Sequence, residues 1–223
     1  GMTNGIISGK IITDLILNRY NPYISIFSFK RRFSILRILS LIMNDLKTGF
    51  TFNNKLFPNP GETIKKLHEK NIRVGLSVNP KEGFYPHEAF YSKAAEYTGV
   101  TDNSIIKFDP LNPKLLDIYF KVFLHPLESL GVDFFWNDYV DNKSITNMWA
   151  MTHYMYHDSD RNSNKRGLTL SRGSIIAPQR YPILYGGPTE ITWEDLAKQV
   201  FTYINASNLG ISWLSLDVGG NRG

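Results

Sequence analysis

The sequence contains no cysteine. That removes a disulfide framework, a thiolate zinc site, an iron–sulfur cluster and a cysteine nucleophile, while leaving the compartment open. Long hydrophobic runs are also missing. The longest, Phe33–Met43 (FSILRILSLIM), has Arg37 inside it and is far shorter than the roughly 20 residues a membrane-spanning helix needs. Neither GxGxxG nor GxxxxGK[ST] occurs, so a nucleotide-binding doubly wound sheet has no support. An excess of one charge is absent from most of the chain. Lys and Arg number 25 and Asp and Glu 20, but seven of the bases and only two of the acids lie in residues 1–50, which leaves 18 of each sign beyond them.

The net charge of +5, and with it the pI near 9.2, therefore belongs to the first fifth of the chain. A nucleic-acid or membrane-surface reading can apply only there. Lys30-Arg31-Arg32 ahead of the apolar run imitates a signal peptide, but it starts too far from residue 1 and no small-residue cleavage site follows Met43. We read the segment as an amphipathic helix docked on its own protein. The expectation is a cytoplasmic protein with no nucleic-acid or membrane partner and no cofactor or metal.

What is present is ordinary globular composition: 223 residues, 42% hydrophobic and 20% charged. From residue 57 onward, helical stretches alternate with short β-branched or aromatic runs of the kind buried in parallel sheets. Helices are expected over Glu62–Asn71, over 113–130 with a kink at Pro126, over Ser144–His157 and over 193–207. Asn112-Pro113 and Thr192 supply helix starts, and Glu194 and Asp195 lie where a helix dipole favours acids. Strands are expected at Ile72–Val78, Val132–Trp136, Gly167–Ser171 and Ile211–Leu216, with a fifth candidate among residues 23–43. The succession implies α/β with a parallel sheet, and a (β/α)8 TIM-barrel type fits best because chemical residues follow strand ends. The strand count falls short of eight, so the barrel is expected to be incomplete.

Phe134-Phe135-Trp136-Asn137-Asp138-Tyr139 puts a carboxylate at the C-terminal end of an apolar strand beside rings that can stack on a sugar face. From the residues alone, Asp138 is either a nucleophile or a cap of the next loop. Asp133 reads as the partner of a buried base. Arg172, after Leu170-Ser171, suits a bidentate bond to hydroxyls or a carboxylate, or a salt bridge to a neighbouring loop. His153 and His157 are four apart on one helix face, but Tyr154 stands where a zinc protease has Glu, so they read as packing histidines. Gly186-Gly187 reads as a turn.

These residues resemble glycoside hydrolase family 31, the retaining α-glucosidases and their relatives, from about Thr48 to Gly220. The resemblance runs through Thr48–Asn53 and Leu56–Pro60, Leu67–Lys70 with Val74–Pro80, Gly131–Asp138, Leu170–Arg172, Gln179–Pro182, and Ser212-Trp213 with Asp217–Gly220. It implies a double displacement in which Asp138 attacks the anomeric carbon and a second carboxyl group, about 5–5.5 Å away, protonates the leaving oxygen. It also implies carbohydrate binding by Trp136, Arg172, Tyr185 and Asp217. At the family's acid/base position this chain has Pro188, which cannot carry a proton. Glu190, two residues on, is the only acid in that loop and is the candidate substitute acid/base if the loop is remodelled. Loss of a general acid costs about 10²–10⁴ in rate, so impaired hydrolysis is expected, with a non-catalytic carbohydrate-binding or degenerate form as the alternative. Residues 1–47 form a divergent basic segment and 48–223 a partial catalytic barrel. Asp45 is the only candidate for the family's early strand-end Asp, Leu216 replaces its usual His, and the chain stops before a final strand.

Overall fold

The structure is a computed structural model that describes residues 49–162, 165–172, 176–217, 219–220 and 222. The candidate strand among residues 23–43, the basic segment and Asp45 lie outside the described residues. Five parallel strands follow one another in sheet order: β1 (Gly75–Val78), β2 (Phe134–Asn137), β3 (Leu170–Ser171), β4 (Leu184–Tyr185) and β5 (Leu214–Ser215). Helices lie between successive strands, reduced to the 3₁₀ turn Pro178–Arg180 between β3 and β4. Among the described residues the sheet is open, with β1 and β5 at its edges. Among the described residues no helix is long and apolar enough to cross a membrane.

Helix α1 (Pro60–His68) opens with Pro at its first position, carries Glu62 in its first turn and Lys65, Lys66 and His68 in its last, all matched to the helix dipole. It stops three residues short of the expected Asn71. The cause is Asn71 itself, which takes a left-handed φ of 59° while Ile72 N bonds back to Leu67 O. Helix α2 (Tyr91–Thr98), not expected from the sequence, buries Tyr91, Ala94 and Ala95 and ends at Gly99 with φ 82°.

The expected helix over 113–130 is in three parts. Asn112 caps α3 (Pro113–Ile118) by accepting from Lys114 N and Leu115 N, a π-helical stretch spans Tyr119–Leu124, and α4 (His125–Ser129) completes it. Pro126 explains the widened turn. Its ring leaves the carbonyl four residues back without a donor and needs the room that an i→i+5 ladder gives.

This helix carries the main core. Phe84, Tyr119 and Phe123 are fully buried, and the Phe84 and Phe123 rings stack with centroids 4.2 Å apart. Phe50 meets both edge-on. Helix α5 (Ile145–Ser159), capped by Ser144 Oγ accepting from Asn147 N, lays Met148, Met151, Thr152 and Met155 inward at helical spacing. Helix α6 (Trp193–Asn208) starts at the Thr192 cap but buries only Ala206, and Trp193 is 83% exposed. The core thus sits under β1 and β2 and thins toward β5.

Asp133, just before β2, accepts from Val74 N at 2.7 Å, from His68 Nε2 at 2.8 Å and from Arg73 Nη1 at 3.1 Å. Partial burial works against its charge, but these donors outweigh it and hold the carboxyl below its ordinary range. It ties α1 to the start of β1, away from the strands' C-terminal ends.

Candidate active site

Register decides which side chains share a face. Ser77 lies opposite Trp136, Trp136 opposite Leu170, Ser171 opposite Leu184, and Tyr185 opposite Ser215. Side chains alternate along a strand, so Asn137 and Asp138 point to opposite faces. Asn137 turns toward α5 and is buried, its Oδ1 accepting from Tyr139 N at 3.2 Å and its Nδ2 lying 3.5 Å from Thr152 Oγ1. Trp136 and Asp138 take the other face. The Asn137 bond to the backbone two residues on fixes the chain as it leaves β2, and thereby fixes Asp138.

On that face three contacts join four strands. Arg172 Nε lies 3.2 Å from Asp138 Oδ1. The Trp136 and Tyr185 rings meet edge to face with centroids 5.4 Å apart and planes at 76°. Tyr185 Oη donates to Asp217 Oδ2 at 2.5 Å. Trp136 and Tyr185 stand on strands two apart, about 9.6 Å in a flat sheet. Their rings meet across β3. Asp138, Arg172 and Asp217 all stand past the C-terminal ends of their strands, where (β/α) barrels keep their sites.

Two polar atoms in this cluster are buried without a hydrogen-bond partner: the Trp136 indole Nε1 and Asp138 Oδ1. The Arg172 contact is therefore a charge contact and not an aligned hydrogen bond. A buried donor and a buried acceptor left unmet are costly, commonly by about 1–3 kcal/mol each, a cost that calls for a functional reason.

Glu190 stands apart from these contacts. It is exposed, its backbone N donates to Asp195 Oδ2 at 2.7 Å, and it pairs with Arg222 through a single backbone bridge. With Ile191, Thr192, Trp193 and Leu196 it lines a cavity of about 470 Å³ at the start of α6. Pro188 lies in the same loop. A Cβ at Gly186 would stand 2.2 Å from Leu216 Cδ2, so a side chain there would make Leu216 shift. The paired glycines, expected as a turn, leave β4 as irregular chain with Gly187 at φ 96°.

His153 shares a 2.9 Å hydrogen bond with the Tyr181 hydroxyl, stacks on Trp149 at 4.9 Å and abuts the His157 ring. Among the described residues no group of three or more His, Cys, Asp or Glu could hold a metal ion. Burial first, then the neighbouring His157 and Arg180, lowers the His153 pKa. Sequence reasoning missed the role of Asn137. The signal was available in an Asn placed at a strand end, where its side chain reaches the backbone two residues on.

A parallel (β/α) sheet with carboxylates, an arginine and aromatic rings at its C-terminal rim is a barrel-type protein with a strand-end site. The chain matches the Glycosyl hydrolases family 31 TIM-barrel domain over residues 37–222 and belongs to that family. It is 23% identical to an alpha-xylosidase of Saccharolobus solfataricus over 197 residues, covering 77% of this chain and 26% of the relative. The GH31 alpha-xylosidase from a soil metagenome complexed with xylose superposes with a TM-score of 0.61 at 19% identity, over 79% of this chain and 31% of that one. The cycloalternan-degrading enzyme from Trueperella pyogenes in complex with isomaltose gives 0.57 at 21%, over 74% and 28%. The chain spans about a quarter of the length of the alpha-xylosidase it matches.

Proposed function

We propose that the protein binds α-linked glucosides or related sugars at the rim formed by Trp136, Asp138, Arg172, Tyr185 and Asp217, and forms a glycosyl ester on Asp138. The observation that carries this reading is the unmet pair on β2's inner face. Trp136 Nε1 offers a proton and Asp138 Oδ1 offers a lone pair. A sugar hydroxyl, both acceptor and donor, satisfies such a pair, and the edge-to-face rings offer an apolar wall for a pyranose face. Family membership and the sugar-bound relatives support the same class of ligand.

In the first step an Asp138 oxygen bonds to the anomeric carbon as the glycosidic C–O bond breaks, the electron pair leaving with the aglycone oxygen. Arg172 beside Asp138 holds the carboxylate and the sugar in register. Water then attacks the same anomeric carbon, its proton passing to the base form of Glu190 or to solvent, and Asp138 leaves as carboxylate, giving net retention. The leaving oxygen needs a proton for ordinary glycosides, and Glu190 is the acid that its loop offers. Its exposure, with Pro188 two residues earlier, favours a second reading in which the protein binds sugar with little turnover. The two separate experimentally. Calorimetric titration with isomaltose, together with release of nitrophenol from a nitrophenyl α-glucoside, gives binding and turnover under the first and binding alone under the second. Neither signal would contradict both.

A further inference from the structure

β4 and β5 are zipped by Leu184 N donating to Trp213 O and Gly186 N to Ser215 O, each at 2.9 Å. Tyr185 faces Ser215 in register, and Asp217, two residues on, returns to the same face. The Tyr185 hydroxyl reaches it, donating to Oδ2 at 2.5 Å. The same ring meets Trp136 edge to face, across β3. Tyr185 is only 6% exposed, so both contacts are held by packing, not made by a loose surface side chain. One residue thus links a carboxylate after β5 to the indole on β2 that leaves its N–H unmet.

We propose that Tyr185 is a positioning residue: its hydroxyl fixes the Asp217 carboxylate and its ring fixes Trp136, so that two walls of the sugar site move as one. A hydrogen bond to an ionised acceptor is stronger and more directional than one between neutral groups. Asp217 Oδ2 is therefore committed to Tyr185, and Oδ1 is the oxygen left to meet a ligand hydroxyl. The kinetic part of this proposal rests on the carbohydrate reading above, whereas the linkage of Asp217 to Trp136 does not.

The test uses the full chain and four variants: Tyr185→Phe, Tyr185→Leu, Asp217→Asn and the Tyr185→Phe/Asp217→Asn double. Thermal melts verify folding. With isomaltose as titrant and a nitrophenyl α-glucoside as substrate, Tyr185→Phe is expected to weaken binding and raise KM about tenfold, while kcat changes less than twofold, because the hydroxyl acts on binding and not on the reacting bond. The double variant is expected to be no weaker than Asp217→Asn alone.

Independently of sugar, ¹⁹F spectra of fluorotryptophan-labelled protein, with Trp136 assigned through Trp136→Phe, report the linkage. Asp217→Asn is expected to shift the Trp136 resonance when Tyr185 is present and to leave it still in the Tyr185→Leu background. Penalties that multiply in the double variant, unchanged KM in Tyr185→Phe, or a Trp136 resonance blind to Asp217→Asn would each overturn the proposal. If the wild-type protein neither binds nor turns over sugar, the carbohydrate reading falls, and the fluorine comparison still decides the linkage.

Discussion

Arg172 Nε stands 3.2 Å from Asp138 Oδ1, each at the end of its own strand, and the two strands are neighbours in the sheet. Both side chains are partly exposed, so the pair is worth little as a stabilising salt bridge. Its value is orientation. Arg172→Ala is expected to leave the melting temperature within a few degrees of wild type while lowering kcat/KM for a nitrophenyl α-glucoside by about ten- to a hundredfold, the cost of losing a charged donor to the sugar beside Asp138. Steady-state kinetics with a thermal melt on the same samples check both halves.

Asn137→Ala removes the acceptor for Tyr139 N, a buried contact at 3.2 Å. An unmet buried amide costs about 1–3 kcal/mol, and urea unfolding is expected to show a loss of that size. Because Asp138 leaves the strand in the stretch this bond fixes, activity is expected to fall further than stability explains.

Phe123→Ala empties a site in the ring cluster with Phe84 and Phe50. A loss of about 3–5 kcal/mol is expected in equilibrium unfolding. The site residues lie on the other face of the sheet, so any protein that remains folded is expected to keep its sugar affinity.

Asp133 and His153 set the pH response. The Asp133 carboxyl is held below its ordinary value by Val74 N, His68 and Arg73 against the cost of burial. Its contribution is present above the unfolded value near 3.9 and is lost as pH falls through the lower folded value. His153 is lowered by burial and by His157 and Arg180. Its contribution is therefore present above about pH 6.5 and is lost as pH falls through its folded value. Melting temperature is expected to drop in two stages on acidification, and His153→Phe is expected to flatten the first of them.

The elements legible in the sequence were those with length or caps. Strands expected at 72–78, 167–171 and 211–216 contain β1, β3 and β5, the one at 132–136 overlaps all of β2 but Asn137, and Asn112 and Thr192 start their helices as capping chemistry requires, while Ser144 caps a helix expected to begin on it. β4 was missed because two residues between Pro182 and Gly186 are too few to show alternation. α2 was missed because alanine carries much of its buried face. The π-helical stretch is a tertiary response to Pro126, and only its location as a kink could be read. At the site, motif order pointed to residues that the sheet gathers on one face, Trp136, Asp138, Arg172, Tyr185 and Asp217. Their contacts were not legible, since Tyr185 and Asp217 lie 32 residues apart and meet only through strand register. Glu190 lay near in sequence to the expected acid/base position, yet the loop turns it toward α6.

The central claim is that Asp138 forms a covalent bond to sugar. Incubation with a 5-fluoro-α-glucosyl fluoride, whose fluoride departs without needing a proton, followed by peptide mass spectrometry, tests it with no demand on Glu190. The account gives one added glycosyl group on the peptide that contains Asp138 and none in Asp138→Ala. An unmodified wild-type protein, or a label on any other residue, would contradict it.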